Sequence, residues 1–344
     1  MLTPQTLVPK LAKAIVINND LYLKREDLHP LGSHKGRSIP LMITKYAKNG
    51  WRDFVISSSG NAALSAIYAV QEYNKNNQKK LIKLKIFVGD EINVNKINKI
   101  LKQVKNDKTI NVKQTANPKQ QAFQFDKDGK AKNLRQSTDN LALVGYFDLA
   151  KELAKIKNLS AIFIPTSSGT TAQGLYEGFR KLKMKVQIHV VQTDTCHPFV
   201  NVIARTTEGR TSQSRSQFVN VIASEAKQSR SQSTDKRDCH VVPMRIGTPR
   251  NDIYDASHSS PSLAGAIVDR VAHRKTQIEK ILKTSHGAGW IATNEDILNA
   301  IKLVKKTEKI NISPNSALSV VGLRQAIEQG WKFDGSVCCV ITGQ

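Results

Sequence analysis

Three short segments hold residues whose types and spacing could do chemistry. In the first, Lys35 follows the turn His29-Pro30-Leu31-Gly32-Ser33-His34 and precedes an apolar run. A lysine amine held in a cleft is a nucleophile able to form Schiff bases. The second segment is Ile56-Ser57-Ser58-Ser59-Gly60-Asn61-Ala62-Ala63. Its hydroxyls and backbone N–H groups, placed at a helix N-terminus, would receive an anion such as a carboxylate. Ser and Asn are also the preferred ordinary helix caps, so a plain N-cap is the alternative reading. The third is Pro165-Thr166-Ser167-Ser168-Gly169-Thr170-Thr171, in which every residue after Pro165 is a small hydroxyl or glycine, a composition that suits a phosphate. It lacks the lysine of a P-loop and the spacing of a dinucleotide fingerprint, which disfavours nucleotide binding.

These segments need a scaffold, and the flanking sequence supplies one. Asp53-Phe54-Val55-Ile56 reads as a buried strand that runs into the second segment, followed by a helix over residues 62–73. Leu84-Lys85-Ile86-Phe87-Val88 is a strand with a Lys-rich amphipathic helix after it. Residues 146–155 read as a helix, Ala161-Ile162-Phe163-Ile164 as the strand leading into the third segment, and residues 186–191 and 336–342 as further strands. Short apolar strands separated by helices indicate an α/β protein with mainly parallel sheet. Ligands of such sheets sit at the carboxyl ends of strands, where the second and third segments fall.

Composition narrows the class. The 344 residues carry 52 Lys+Arg against 28 Asp+Glu, a formal charge of +24, with 40% hydrophobic residues, enough for a core. Of the basic residues 37 are Lys, scattered among Asn and Ile rather than clustered with aromatics, and aromatics are only 6%, so a nucleic-acid partner is not expected. No apolar run reaches the roughly 18 residues a membrane helix needs, and the N-terminus does not read as a signal peptide. Cys196, Cys239, Cys338 and Cys339 show no CxxC spacing, which suits a reducing cytoplasm. Cys239-His240 has no partner pair at ligand spacing, so no metal is expected. Cys338 and Cys339 would point to opposite faces of a strand, with one of them in the core.

Residues 205–257 differ from the rest. They hold 7 Arg and 2 Lys, whereas the remainder holds 8 Arg and 35 Lys, and Phe199-Val200-Asn201-Val202-Ile203-Ala204 recurs as Phe218-Val219-Asn220-Val221-Ile222-Ala223. The break in composition and the lost periodicity are expected of a disordered insertion. Its text resembles translated copies of a bacterial palindromic repetitive element, and trypsin should cut there first.

In this order the three segments resemble the fold-type II pyridoxal-phosphate enzymes, a group that includes threonine synthase, threonine dehydratase, cysteine synthase and the tryptophan synthase β subunit. Residues 23–37 match the lysine segment, Ser58-Ser59-Gly60-Asn61 the asparagine loop and residues 167–171 the phosphate loop. Val190-Val191-Gln192, Ser262-Leu263-Ala264-Gly265-Ala266-Ile267, Ser313-Pro314-Asn315-Ser316-Ala317 and Val340-Ile341-Thr342-Gly343 match further pieces. The phosphate loop departs from the pattern in having fewer glycines.

The resemblance implies a two-domain α/β fold with mainly parallel open sheets. Residues 1–44 and 156–344 would form the larger cofactor-binding domain, and residues 45–155 the smaller domain carrying the asparagine loop. Pyridoxal 5'-phosphate would be bound through Lys35, which would also take the substrate's α-proton. Asn61 would hydrogen-bond the ring oxygen, Ser58, Ser59 and Gly60 would grip the substrate carboxylate, and Ser167, Ser168, Gly169, Thr170 and Thr171 would carry the phosphate. His34 is read as lining. Thr342 would face the pyridine nitrogen, and a neutral hydroxyl there suits elimination or replacement better than transamination. Thr followed by Gly resembles the threonine-synthase branch, which converts O-phosphohomoserine to threonine. Alternatives are a threonine/serine dehydratase, a cysteine synthase, or a degenerate non-catalytic protein that binds the cofactor or a nucleic acid. An amino-acid substrate and a homodimer are expected.

Overall fold

The computed structural model describes residues 2–200 and 261–343. The whole segment with altered composition, residues 205–257, and with it the insertion reading, lies outside the described residues. Two sheets organise the rest. The larger has six strands in the order β1 (Gln5–Leu7), β2 (Leu21–Arg25), β10 (Ser336–Ile341), β7 (Leu159–Pro165), β8 (Gln187–Thr193) and β9 (Gly289–Ala292). Only the β1–β2 pairing is antiparallel. The smaller sheet is fully parallel, in the order β5 (Ile110–Thr115), β4 (Lys83–Gly89), β3 (Asp53–Ser57) and β6 (Lys132–Asn133).

Side-chain alternation along β10 builds the core on both faces of the larger sheet, because successive residues of a strand point to opposite sides. Val337, Cys339 and Ile341 join the cluster under α1 (Pro9–Ala14) and the last two helices of the chain, Asn294–Glu308 and Pro314–Glu328. Cys338 and Val340 join the opposite cluster. That one is covered by helices at Phe147–Leu153, Thr170–Lys181 and Lys275–Ser285. Both cysteines are therefore core residues, where one was expected, because this central strand is covered on both faces. Numbered in chain order, the remaining helices are α2 (Ile39–Lys48), α3 (Asn61–Asn76), α4 (Val94–Val104), α5 (Pro118–Lys127) and α6 (Leu141–Val144). The five named before them are α7 (Phe147–Leu153), α8 (Thr170–Lys181), α9 (Lys275–Ser285), α10 (Asn294–Glu308) and α11 (Pro314–Glu328). None is long and apolar enough to cross a membrane.

One core residue makes stability depend on pH. His189 on β8 is fully buried, stacks on Phe163 at 4.3 Å and accepts at Nδ1 from the Trp290 indole at 3.1 Å. Burial pulls its pKa down to about 3. The unfolded chain, with an ordinary imidazole pKa near 6.5, binds the proton first on acidification, so this contribution is complete above about pH 6.5 and is lost as pH falls towards 3. At pH 5 the loss should be about 2 kcal/mol from this residue. Urea unfolding of wild type and His189→Gln at pH 7 and pH 5 checks it: the variant should lose most of that difference.

Candidate active site

Four strand ends or their following loops carry the residues singled out above. β2 leads through two short 3-10 turns, Glu26–Leu28 and His34–Arg37, into α2. Gly32 between them takes a left-handed φ of +74°, open to glycine without strain. Ser33 caps the second turn by accepting from the Lys35 N–H at 3.3 Å, and its backbone bridges to Gly343 just past β10. The Thr342 carbonyl accepts twice from His34, from the backbone N–H at 3.0 Å and from Nδ1 at 2.7 Å. That partner is a carbonyl, so Nδ1 carries the proton. Burial, and after it the neighbouring Lys35 ammonium, pull the imidazole pKa down to about 3, so the ring is neutral. His34 is thus a strut between the lysine turn and the end of β10. The Lys35 side chain has no hydrogen-bond or ion-pair partner among the described residues.

Behind the lysine turn lies a cluster that sequence reasoning missed. Arg37 grips Glu26 through Nε at 2.9 Å and Nη2 at 2.7 Å, and Glu152 through Nη1 at 2.6 Å and Nη2 at 3.0 Å. Lys24 donates to Glu152 at 2.5 Å and to the Thr3 carbonyl at 2.8 Å. Lys24 and Glu26 are fully buried. Two cations and two carboxylates balance, and the bidentate geometry fixes the turn that carries Lys35. No single letter signals this, because charged residues usually read as surface.

Ser58, Ser59, Gly60 and Asn61 form the loop from β3 into α3. Gly60 is the N-cap and no side chain caps this helix, so its first N–H groups are open to an anion. The Ser58 hydroxyl accepts from the Gly60 N–H at 3.2 Å, while the side chains of Ser59 and Asn61 have no hydrogen-bond partner among the described residues. A Cβ on Gly343 would stand 2.6 Å from the Asn61 amide nitrogen and 2.8 Å from the Ser33 Cβ, so the asparagine loop, the lysine turn and the end of β10 meet there. Ser313 and Ser316 pin the Gly343 carbonyl at 2.6 and 2.9 Å. Gly343→Ala should push Asn61 aside and weaken cofactor binding about tenfold, an overpacking penalty of 1–3 kcal/mol, with unchanged circular dichroism. A spectrophotometric cofactor titration reads this; undiminished affinity would show that the close approach does not matter.

Ser167, Ser168, Gly169, Thr170 and Thr171 run from β7 into α8. Gly169 has φ of +79° and is an N-cap without a side-chain bond, leaving the N-terminal donors of a 12-residue helix open. The hydroxyls divide. That of Ser167 is committed to the 268–269 backbone, accepting at 3.2 and 3.3 Å, and to Asp269. Ser168 and Thr170 pair with each other at 2.9 Å, and the Thr171 hydroxyl has no hydrogen-bond partner among the described residues. Thr170 also donates to the Gln136 carbonyl at 3.1 Å, and the Gln136 amide donates to the Ser38 hydroxyl beside the lysine turn. Thr342 is a buried residue, and its hydroxyl has no hydrogen-bond partner among the described residues. No group of three or more His, Cys, Asp or Glu among the described residues could hold a metal ion.

This donor set fits a phosphorylated aldehyde: a free amine on Lys35, an unengaged amide on Asn61, an unengaged hydroxyl on Thr342 and an open helix N-terminus. Comparison with known proteins agrees. A family model described as pyridoxal-phosphate dependent enzyme matches residues 2–343. A threonine synthase of Methanosarcina acetivorans is 23% identical over 352 aligned residues, covering 99% of this chain and 74% of that protein. A threonine synthase of Mycobacterium leprae is 47% identical over 60 residues, 17% of either chain. A crystal structure of a pyridoxal 5'-phosphate-dependent aspartate racemase superposes with a TM-score of 0.72 at 16% identity, over 99% of this chain and 89% of that one.

Proposed function

We propose, from the premise that the chain belongs to the pyridoxal-phosphate dependent enzymes, that it catalyses elimination or replacement at the β or γ carbon of an amino acid. The conversion would be that of threonine synthase, O-phosphohomoserine and water giving threonine and phosphate. The observation that carries the reaction type is Thr342 at the end of β10, a 5%-exposed residue whose neutral hydroxyl is unengaged among the described residues and stands where a carboxylate would favour a protonated ring. The likeness of the whole chain to the Methanosarcina acetivorans threonine synthase supports the substrate.

The bound cofactor supplies an electron sink for charge at the substrate's α carbon. This chain's residues do the rest. The Lys35 amine would hold the cofactor and, with no competing partner among the described residues, would take the substrate's α-proton. Ser58, Ser59, Gly60 and the open N–H groups of α3 bind the substrate carboxylate and so orient the Cα–H bond towards that amine. Asn61 would bond the ring oxygen. Ser167, Ser168, Gly169, Thr170 and Thr171 would hold the phosphate, chiefly through the backbone N–H groups of α8 and the hydroxyls not bound elsewhere. β3 to β6 all lie within residues 45–155, the segment proposed as the smaller domain.

Offering the holoenzyme O-phosphohomoserine, threonine, serine and O-acetylserine tests the substrate. Threonine and phosphate released together from O-phosphohomoserine are expected. Oxobutyrate from threonine, with no turnover of O-phosphohomoserine, would move the protein to the dehydratases.

A further inference from the structure

Arg274 stands just before α9, outside the three segments with which the sequence reading began, and is 4% exposed. Its guanidinium donates to four neutral acceptors. Nη1 reaches Asn140 Oδ1 at 3.0 Å and Gln173 Oε1 at 2.9 Å, and Nη2 reaches the carbonyls of Gln136 at 3.1 Å and Asp139 at 3.0 Å. Nε is buried without a partner, and no carboxylate among the described residues bonds the guanidinium. The nearest acidic groups serve others: Glu177 accepts from the Gln173 amide at 2.8 Å, and Asp139 from the Tyr46 hydroxyl at 2.6 Å and the Leu141 N–H at 2.8 Å. A buried cation without an ionic partner is costly, and a bound anion would offset that cost.

The neighbourhood says which anion. Gln173 lies in the first turns of α8. The Gln136 carbonyl that accepts from Arg274 also accepts from Thr170 of the phosphate loop at 3.1 Å, so the two donors stand no farther apart than two hydrogen bonds end to end. The loop itself has a single glycine and one hydroxyl, that of Ser167, spent on Asp269.

We propose that Arg274 is the counter-charge of the phosphate bound at the N-terminus of α8, a positioning residue that acts through Gln136, Gln173 and its own field. It makes up for a loop poor in glycine. The inference rests on the placement of the phosphate at residues 167–171.

The test compares wild type, Arg274→Gln and Arg274→Lys, each freed of cofactor, as full chains. Affinities for pyridoxal phosphate and for pyridoxal, which lacks the phosphate, are measured along with the rise in Tm caused by inorganic phosphate. Arg274→Gln should weaken pyridoxal phosphate by about tenfold or more, change pyridoxal by less than twofold, and lose most of the phosphate-induced rise in Tm. Arg274→Lys should restore the preference for the phosphorylated form. Equal weakening of both aldehydes, or no change in either, would overturn the proposal. If Arg274→Gln does not fold, Arg274→Lys carries the test alone. It keeps the charge while giving up bonds to the carbonyls, so the preference should persist even at a lower Tm, and loss of the preference would contradict the role. Thr170→Val separates the two readings: if it leaves phosphate and pyridoxal phosphate binding intact, the loop assignment itself fails.

Discussion

Replacing Lys35 by alanine should leave a folded protein that no longer develops the visible absorption band removed by borohydride, and turnover should fall by about three orders of magnitude or more. The size of the effect follows from one amine serving as both the point of attachment and the base. The fold should not suffer, because the side chain bonds nothing among the described residues and the turn is held by its backbone, by Ser33 and by His34. Circular dichroism and Tm near the wild-type values would confirm that. A reducible adduct at another lysine with near-normal activity would remove Lys35 from its role.

The second large effect is expected from Glu152, which lies 115 residues beyond Arg37 in the chain and binds it twice. Burial alone would raise its pKa, but hydrogen bonds from Arg37 and Lys24 hold the carboxyl down at about 2. Its folded value lies below the ordinary 4.5, so its contribution is complete above about pH 4.5 and is lost as pH falls towards 2. Glu152→Gln leaves Lys24 and Arg37 with Glu26 as their only carboxylate in the cluster and should cost about 3–5 kcal/mol at pH 7. Cofactor affinity should fall with it, because Arg37 lies in the same 3-10 turn as Lys35. Adding Lys24→Met removes one cation along with the lost anion and should recover part of the stability. Urea unfolding of the single and double variants measures both; a loss below 1 kcal/mol for Glu152→Gln would mean the cluster does not hold the turn.

Much of this arrangement is legible in the letters. The alternation of short apolar strands with helices announces the parallel sheets, and the Ser/Gly/Asn and Ser/Gly/Thr turns fall at strand ends because β3 and β7 stop there. The short strands are not legible. Gln5–Leu7 has three residues and Lys132–Asn133 two, and their pairing is decided by neighbours rather than by their own pattern. The charge cluster is hidden for a different reason. Lys24 and Glu26 read as solvent-facing until β2 is seen between β1 and β10, and Glu152 sits on a helix with an ordinary polar pattern. Arg274 is one of 15 arginines, and only the packing of α8 against the 136–140 segment shows that it lacks an ionic partner. His34 looked like cleft lining, and its second tie to Thr342 depends on a carbonyl 308 residues away.

The most direct measurement is to load the protein with pyridoxal phosphate, reduce it with borohydride, digest it and map the modified lysine by mass spectrometry. One phosphopyridoxyl group per chain on the peptide containing Lys35 is the predicted result. A label spread over the surface lysines, or fixed on one other than Lys35, would contradict the site described above.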